Sequence, residues 1–234
     1  QIRLVGVGFS RGAEEVAALE RLIEERGIRD PDAAVYRKDV EGLITSIEYA
    51  DRPLLVPPGE TLQAALLFDP VVEGVERFDR RLPSSTMSTY QISAEDERRN
   101  LFKVNDHVPP GFSEDNRNLN SIVGGVHSDI GNTYEENGLG VYSFNLGVAF
   151  LNRLSDRPYL QKQAIPDDPA LFVVHRSEQG MHGLYGTSSY DKDGLRDRLQ
   201  DQSPQPGLQR KDPISAELEM RIERRAAPVQ PGHG

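Results

Sequence analysis

Apolar and polar positions alternate along the chain in a way that marks out short strand-like runs between longer helical or irregular stretches. Residues 2–7, "IRLVGV", are short, β-rich and apolar, the pattern of a buried strand. From 11 to 26 the period becomes helical: Val16, Leu19, Leu22 and Ile23 recur on one face, and Gly27 stands where a helix stop belongs. Residues 37–50, "RKDVEGLITSIEYA", carry an ambiguous pattern that admits a second helix interrupted at Gly42. The proline-rich stretch 51–60 is a loop, and "TLQAALLFDPV" is a second apolar run closed by Asp69 and Pro70. Residues 84–104 alternate enough for one or two short strands or an insertion, and 105–120 read as a polar loop. A third apolar run covers 122–126, a helix with a broad apolar face covers 139–154, and "ALFVVH" (170–175) reads as a fourth buried strand.

Strand-like runs separated by helices or long insertions predict an α/β fold with a mostly parallel sheet and flanking helices. Each run delivers a polar residue at or just beyond its C-terminal end: Ser10, Asp69, Asp129 and His175. Open parallel sheets react at that edge, where strand ends and helix N-termini converge. After about residue 196 the composition turns to Gln, Pro, Arg and Asp. The expected organisation is therefore a catalytic portion over 1–195 and a polar tail or linker over 196–234, with one short amphipathic helix near 213–224.

Composition narrows the chemistry. A net charge of −10 over 234 residues argues against a nucleic-acid partner, because neutralising phosphates needs clustered Lys and Arg. It equally disfavours a purely electrostatic hold on a membrane. The absence of cysteine removes disulfides, thiolate metal sites and cysteine nucleophiles. No apolar run approaches the roughly 18–20 residues of a membrane span, and no signal-peptide pattern is visible. No spacing calls for a cofactor or a metal; His127 and Asp129 lack a third ligand placed by spacing.

The chemistry that remains centres on Gly8-Phe9-Ser10-Arg11-Gly12, which fits G-x-S-x-G between a strand and a helix. A serine held at so sharp a turn needs nearly side-chain-free neighbours, projects its hydroxyl clear of the sheet, and leaves the next backbone N–H, that of Arg11, facing a developing oxyanion. A dinucleotide turn would need its third glycine where Arg11 stands, and no P-loop lysine follows. Activation needs a histidine, and the histidine needs a carboxylate. Of the five histidines, His233 lies in the tail, His107 in a polar loop, and His182 beyond the last run. His175 follows that run directly and is the expected base; His127 is the alternative, or shapes the loop presenting the acid. Asp129, in the glycine-flanked "GGVHSDIG", is the expected acid, with Asp69 as the alternative. "DKDG" (191–194) begins like a calcium loop but has Gln202 at the twelfth position, and reads as a solvated turn. "EDERR" (95–99) reads as a charged exposed stretch.

Taken in order, "GFSRGA", "LLFDPV", "SAEDERRNLF", "GVHSDIG..Y" and "VVHRS" resemble a family of α/β hydrolases that includes the bacterial type VI secretion phospholipase effectors. The similarity spreads over residues 4–177, with "GFSRGA" and "GVHSDIG" its most specific pieces. The resemblance implies a serine esterase cleaving glycerophospholipid acyl esters in the envelope of a rival cell. It also implies a nucleophile at Ser10, an acid at Asp129, a base at His175, and an immunity protein as partner. A non-lipid esterase or peptidase on the same triad, and a non-catalytic hydrolase-like module that binds a partner chain, are the alternatives. Two departures stand out. Asn132-Thr133 follow Gly131 where the family continues with glycines, and the chain opens on the nucleophile strand, without the strands that precede it in a whole α/β hydrolase. The resemblance therefore also implies an N-terminal half or complementary chain that completes the sheet.

Overall fold

The computed structural model describes residues 2–50, 52–74, 79–180, 186, 196 and 198–200. His182, His233, the "DKDG" turn and the expected helix near 213–224 lie outside the described residues.

Nine strands and three α-helices appear among the described residues. The central sheet runs β1 (Arg3–Phe9), β4 (Leu62–Phe68), β5 (Thr86–Ala94), β8 (Asn118–Val123), β7 (Gly111–Phe112) in spatial order. The first four are mutually parallel, and β7 pairs antiparallel with β8. This is an α/β architecture with helices on both faces. On β4, alternate side chains go opposite ways: Ala65 and Leu67 meet Ala13 of α1 (Arg11–Arg26), while Leu66 joins Ile92, Val123 and Leu139 on the side of α3 (Gly138–Arg153). Burial on both faces explains why "AALL" is continuously apolar. Each fully buried leucine there contributes about 1.5–3 kcal/mol of transfer free energy.

The hydrogen-bond ladder continues past the strand ends as a staircase: Ser10 N donates to Phe68 O, Asp69 N to Ile92 O, and Glu95 N to Val123 O, each at 2.8–2.9 Å. Whatever follows each strand is thus fixed beside its neighbour, on one edge of the sheet.

Several sequence expectations are corrected. Residues 37–50 are not helical; β2 (Ala34–Lys38) and β3 (Ile44–Tyr49) form an antiparallel hairpin. The run 170–175 is not a sheet strand but a 3-10 turn followed by an extended segment, with Phe172 and Val174 in the core. The fourth parallel strand is instead β5, within the alternating stretch. The polar "loop" 105–120 contains β7, the end of β6 (Val104–Asp106) and the start of β8, and its His107 is buried against Glu14 at 3.0 Å. At the start of the expected tail, Arg196 is buried and β9 (Arg198–Gln200) pairs parallel with β6. Arg198 ion-pairs with Asp106 there.

Among the described residues β1 is an edge strand. Its glycines lie under α1, and its other face keeps Val5 and Val7 at 44% and 53% exposure.

Candidate active site at the carboxyl edge of the sheet

Ser10 joins β1 directly to α1, with φ 60° and ψ −128°. For a residue bearing a Cβ such a conformation costs on the order of 1–3 kcal/mol and persists only when its surroundings over-determine it. They do: Ser10 N donates to Phe68 O at 2.9 Å, and Ser10 O accepts from Ala13 N at 3.0 Å. A serine at a helix N-cap ordinarily spends its hydroxyl on the helix's own amides. Here the side chain makes no capping bond. Arg11 occupies the first helical position, where a backbone N–H has no intrahelical acceptor.

The two glycines of the motif differ. A Cβ on Gly8 would lie 2.4 Å from Gly12 O and 2.6 Å from Ala13 N, both backbone atoms that cannot yield. At Gly12 nothing lies within 4 Å of the added carbon, so only Gly8 is required by close approach. Gly8→Ala should therefore force the strand and helix apart and lower the thermal midpoint sharply, whereas Gly12→Ala should stabilise by roughly 0.5–1 kcal/mol through helix propensity. Paired thermal melts check both.

Two buried histidine–carboxylate pairs occupy the same edge. His175 Nδ1 lies 2.5 Å from Asp129 Oδ1. Asp129 sits in the single-turn helix α2 (His127–Ile130), and its second oxygen accepts from Val126 N at 2.9 Å and His175 N at 3.2 Å. The carboxylate is thus aimed by two backbone amides. Burial opposes charging of the His175 ring, but the carboxylates of Asp129 and Glu136 outweigh it and raise its pKa above the ordinary histidine value. Tyr134 stacks flat on the ring, centroids 3.7 Å apart.

The second pair is His127 Nδ1 with Asp69 Oδ2, at 2.6 Å. His127 stacks on Phe9, the residue before Ser10, with centroids 4.5 Å apart. Asp69 has φ 42°, is fully buried, and accepts from Ala94 N and from both terminal nitrogens of Arg196. Burial opposes its ionisation, but Arg196 first and then His127 hold its pKa well below the usual carboxylate range. Asp69 is therefore much more than a turn cap.

All the residues singled out from sequence, Ser10, Arg11, Asp69, His127, Asp129 and His175, gather at this edge. The structure forms both carboxylate–histidine pairs; no hydrogen bond joins the Ser10 hydroxyl to either histidine among the described residues.

"EDERR" is not an exposed stretch: Asp96, Glu97 and Arg99 are buried. Glu97 binds Arg99 at 2.9 Å and accepts from His127 N and Ser177 Oγ at 3.2 Å each, so it braces the Asp129 turn against the His175 segment. Asp96 accepts from Gly125 N at 2.8 Å on the same turn. Asn132, where the resembling family carries glycine, has φ 56°, a conformation asparagine tolerates better than most side chains. No group of three metal-ligating side chains occurs among the described residues. No helix among them is long and apolar enough to cross a membrane.

Sequence reasoning gave no role at this edge to Glu97, Tyr134, Glu136 or Arg196, although Glu97 and Tyr134 lie within the motifs that carry the resemblance. Glu97 stands in "EDERR", which reads in sequence as an exposed charged stretch, Tyr134 closes the Asp129 motif and Glu136 follows it, and nothing in the tail composition distinguishes Arg196.

No family model matches the chain, and no curated protein matches it. A crystal structure of an uncharacterized protein from Pseudomonas aeruginosa is similar at 20% identity over 63% of this chain, with a TM-score of 0.39. The matched part spans 23% of that chain.

Proposed function

We propose that the chain belongs to an α/β-hydrolase catalytic domain and acts as a serine ester hydrolase. The observation that carries this reading is Ser10 itself: a strained strand-to-helix junction at the carboxyl edge of a parallel sheet, with a hydroxyl not spent on capping. In the reaction Ser10 Oγ attacks the ester carbonyl carbon while its proton passes to His175 Nε2. Asp129 keeps the other ring nitrogen protonated and stabilises the imidazolium, and the Arg11 N–H faces the oxyanion. The same proton then goes to the departing alcohol oxygen, leaving an acyl-serine that water hydrolyses by the reverse path.

The substrate class, a glycerophospholipid acyl ester, and action as a secreted antibacterial effector held in check by an immunity protein, rest on the motif resemblance. A second reading of the base has its own support: His127 is paired to a carboxylate as tightly as His175 and stacks beside the nucleophile. The half-exposed valines of β1, on an edge unpaired among the described residues, favour a further strand or chain lying beside it. That partner would also bring the second oxyanion donor.

The test is a fluorophosphonate ester probe followed by peptide mapping, on this chain alone and within the longest natural protein that contains it. An adduct on Ser10 supports the reading and makes phospholipid turnover the next assay. Absence of an adduct in that longest protein sinks it and promotes a non-catalytic binding module.

A further inference from the structure

His175 has a carboxylate on each side. Asp129 takes Nδ1, and Glu136 Oε2 lies 3.6 Å from Nε2, the nitrogen that a serine hydroxyl must reach. Glu136 belongs to the segment between α2 and α3, the same segment that lays the Tyr134 ring on the imidazole. The ring is thus held on three sides: a carboxylate at either nitrogen and an aromatic plane across its face. Its side chain is 8% exposed, whereas that of Glu136 is 51% exposed, so the second carboxylate reaches inward from a solvent-facing position.

We infer that Glu136 is a positioning residue of the site: its carboxylate holds the Nε2 side of His175 in the resting state and must yield that nitrogen to Ser10 when an ester binds. The inference rests on His175 being the base. An imidazole facing carboxylates at both nitrogens satisfies them best by donating from both, as an imidazolium. Such a ring cannot accept the Ser10 proton until it gives one up. Glu136 therefore restrains the base at low pH, and because it is exposed and only in ion-pair range, its hold is weak enough to release.

The other charged groups around the ring leave this assignment intact. On its own segment Arg176 is engaged with Glu178 at 2.5 Å. From the loop after β5, Glu97 is neutralised by Arg99 and reaches Ser177, two residues past the ring. Asp129 acts at Nδ1 alone. Glu136 is the carboxylate on the Nε2 side among the described residues.

The test follows the His175 ring protons by NMR across pH in the wild type, Glu136→Gln, and Glu135→Gln, which removes the same charge from the neighbouring exposed residue. A unit charge at this distance in a water-like dielectric is worth about 1 kcal/mol. Glu136→Gln should therefore lower the His175 pKa by about half a pH unit or somewhat more, and by less at high salt. Glu135→Gln should leave it nearly unmoved. The sign for reactivity follows: a lower pKa means more neutral base, so the acid limb of fluorophosphonate labelling should move to lower pH, about threefold faster well below the pKa. A His175 pKa unchanged in Glu136→Gln, or lowered equally in both variants, overturns the inference. The titration needs no turnover, so it stands apart from the esterase reading: a shifted pKa with no adduct on Ser10 would uphold the pair and reject the hydrolase.

Discussion

Asp129→Asn should leave the protein folded and slow acylation of Ser10 by about 10⁴-fold. The asparagine oxygen can keep the bonds from Val126 N and His175 N that aim the present carboxylate. What changes is the group facing His175 Nδ1, now 2.5 Å from a carboxylate oxygen. An amide NH2 placed there donates instead of accepting, so the ring proton moves to Nε2 and the ring presents a donor to the serine hydroxyl. The imidazolium that forms on attack also loses its counter-charge. The measurement is the second-order rate of fluorophosphonate labelling, with an unfolding curve recorded on the same sample. A folded Asp129→Asn protein that labels at the wild-type rate would remove His175 from the mechanism and leave His127 with Asp69 as the working pair.

The strand, elbow and helix around Ser10 were legible because they are local. β1 and α1 differ in period, and the glycine at position 8 is demanded by an approach between residues only a few positions apart. Asp129 was legible because it follows β8 at the carboxyl edge of the sheet, whereas His175 was expected there on the strength of a strand over 170–175 that the structure does not form. Elsewhere hydropathy misled, for identifiable reasons. "ALFVVH" is apolar because Phe172 and Val174 pack into the core, and burial by itself does not make a strand. The reverse holds for β5, whose buried Thr89, Gln91 and Ser93 look like surface residues. Gln91 is satisfied by Asn105 O and Ser93, and Ser93 by Asn120, so polar side chains line a central strand at little cost. The hairpin of β2 and β3 is exposed along nearly its whole length, so no buried face imposed a readable period. Glu97 with Arg99, and Asp69 with Arg196, are charged letters that become interior only through partners distant in sequence or locked in a tight loop.

That last pairing carries the largest stability effect expected here. Asp69→Asn should destabilise the fold by about 3–5 kcal/mol, because it leaves Arg196 buried without its counter-charge. Among the described hydrogen-bond partners the arginine would keep the Ala94 and Phe102 carbonyls and a neutral amide. Asp69 has a folded pKa depressed below its unfolded value. Its contribution is therefore fully present above about pH 4 and lost as pH falls through the folded value. The difference between wild type and Asp69→Asn should accordingly be flat from pH 5 to 9, as read by urea unfolding at several pH values. A double variant, Asp69→Asn with Arg196→Met, should recover part of the loss if the uncompensated charge is its source. A single-variant loss below about 1 kcal/mol would mean that Arg196 does not occupy this place. The same protein, assayed under conditions where it is folded, separates the two histidines. With His175 as base, labelling of Ser10 falls by less than about tenfold, since Asp69 then acts only by holding His127 against Phe9. With His127 as base, labelling falls as far as it would in a triad that has lost its carboxylate, about 10⁴-fold. Because both carboxylates are aimed by fixed backbone amides, Ala94 N for Asp69 and Val126 N for Asp129, each asparagine reports on its own histidine, and the pair of variants assigns the base without disturbing Ser10.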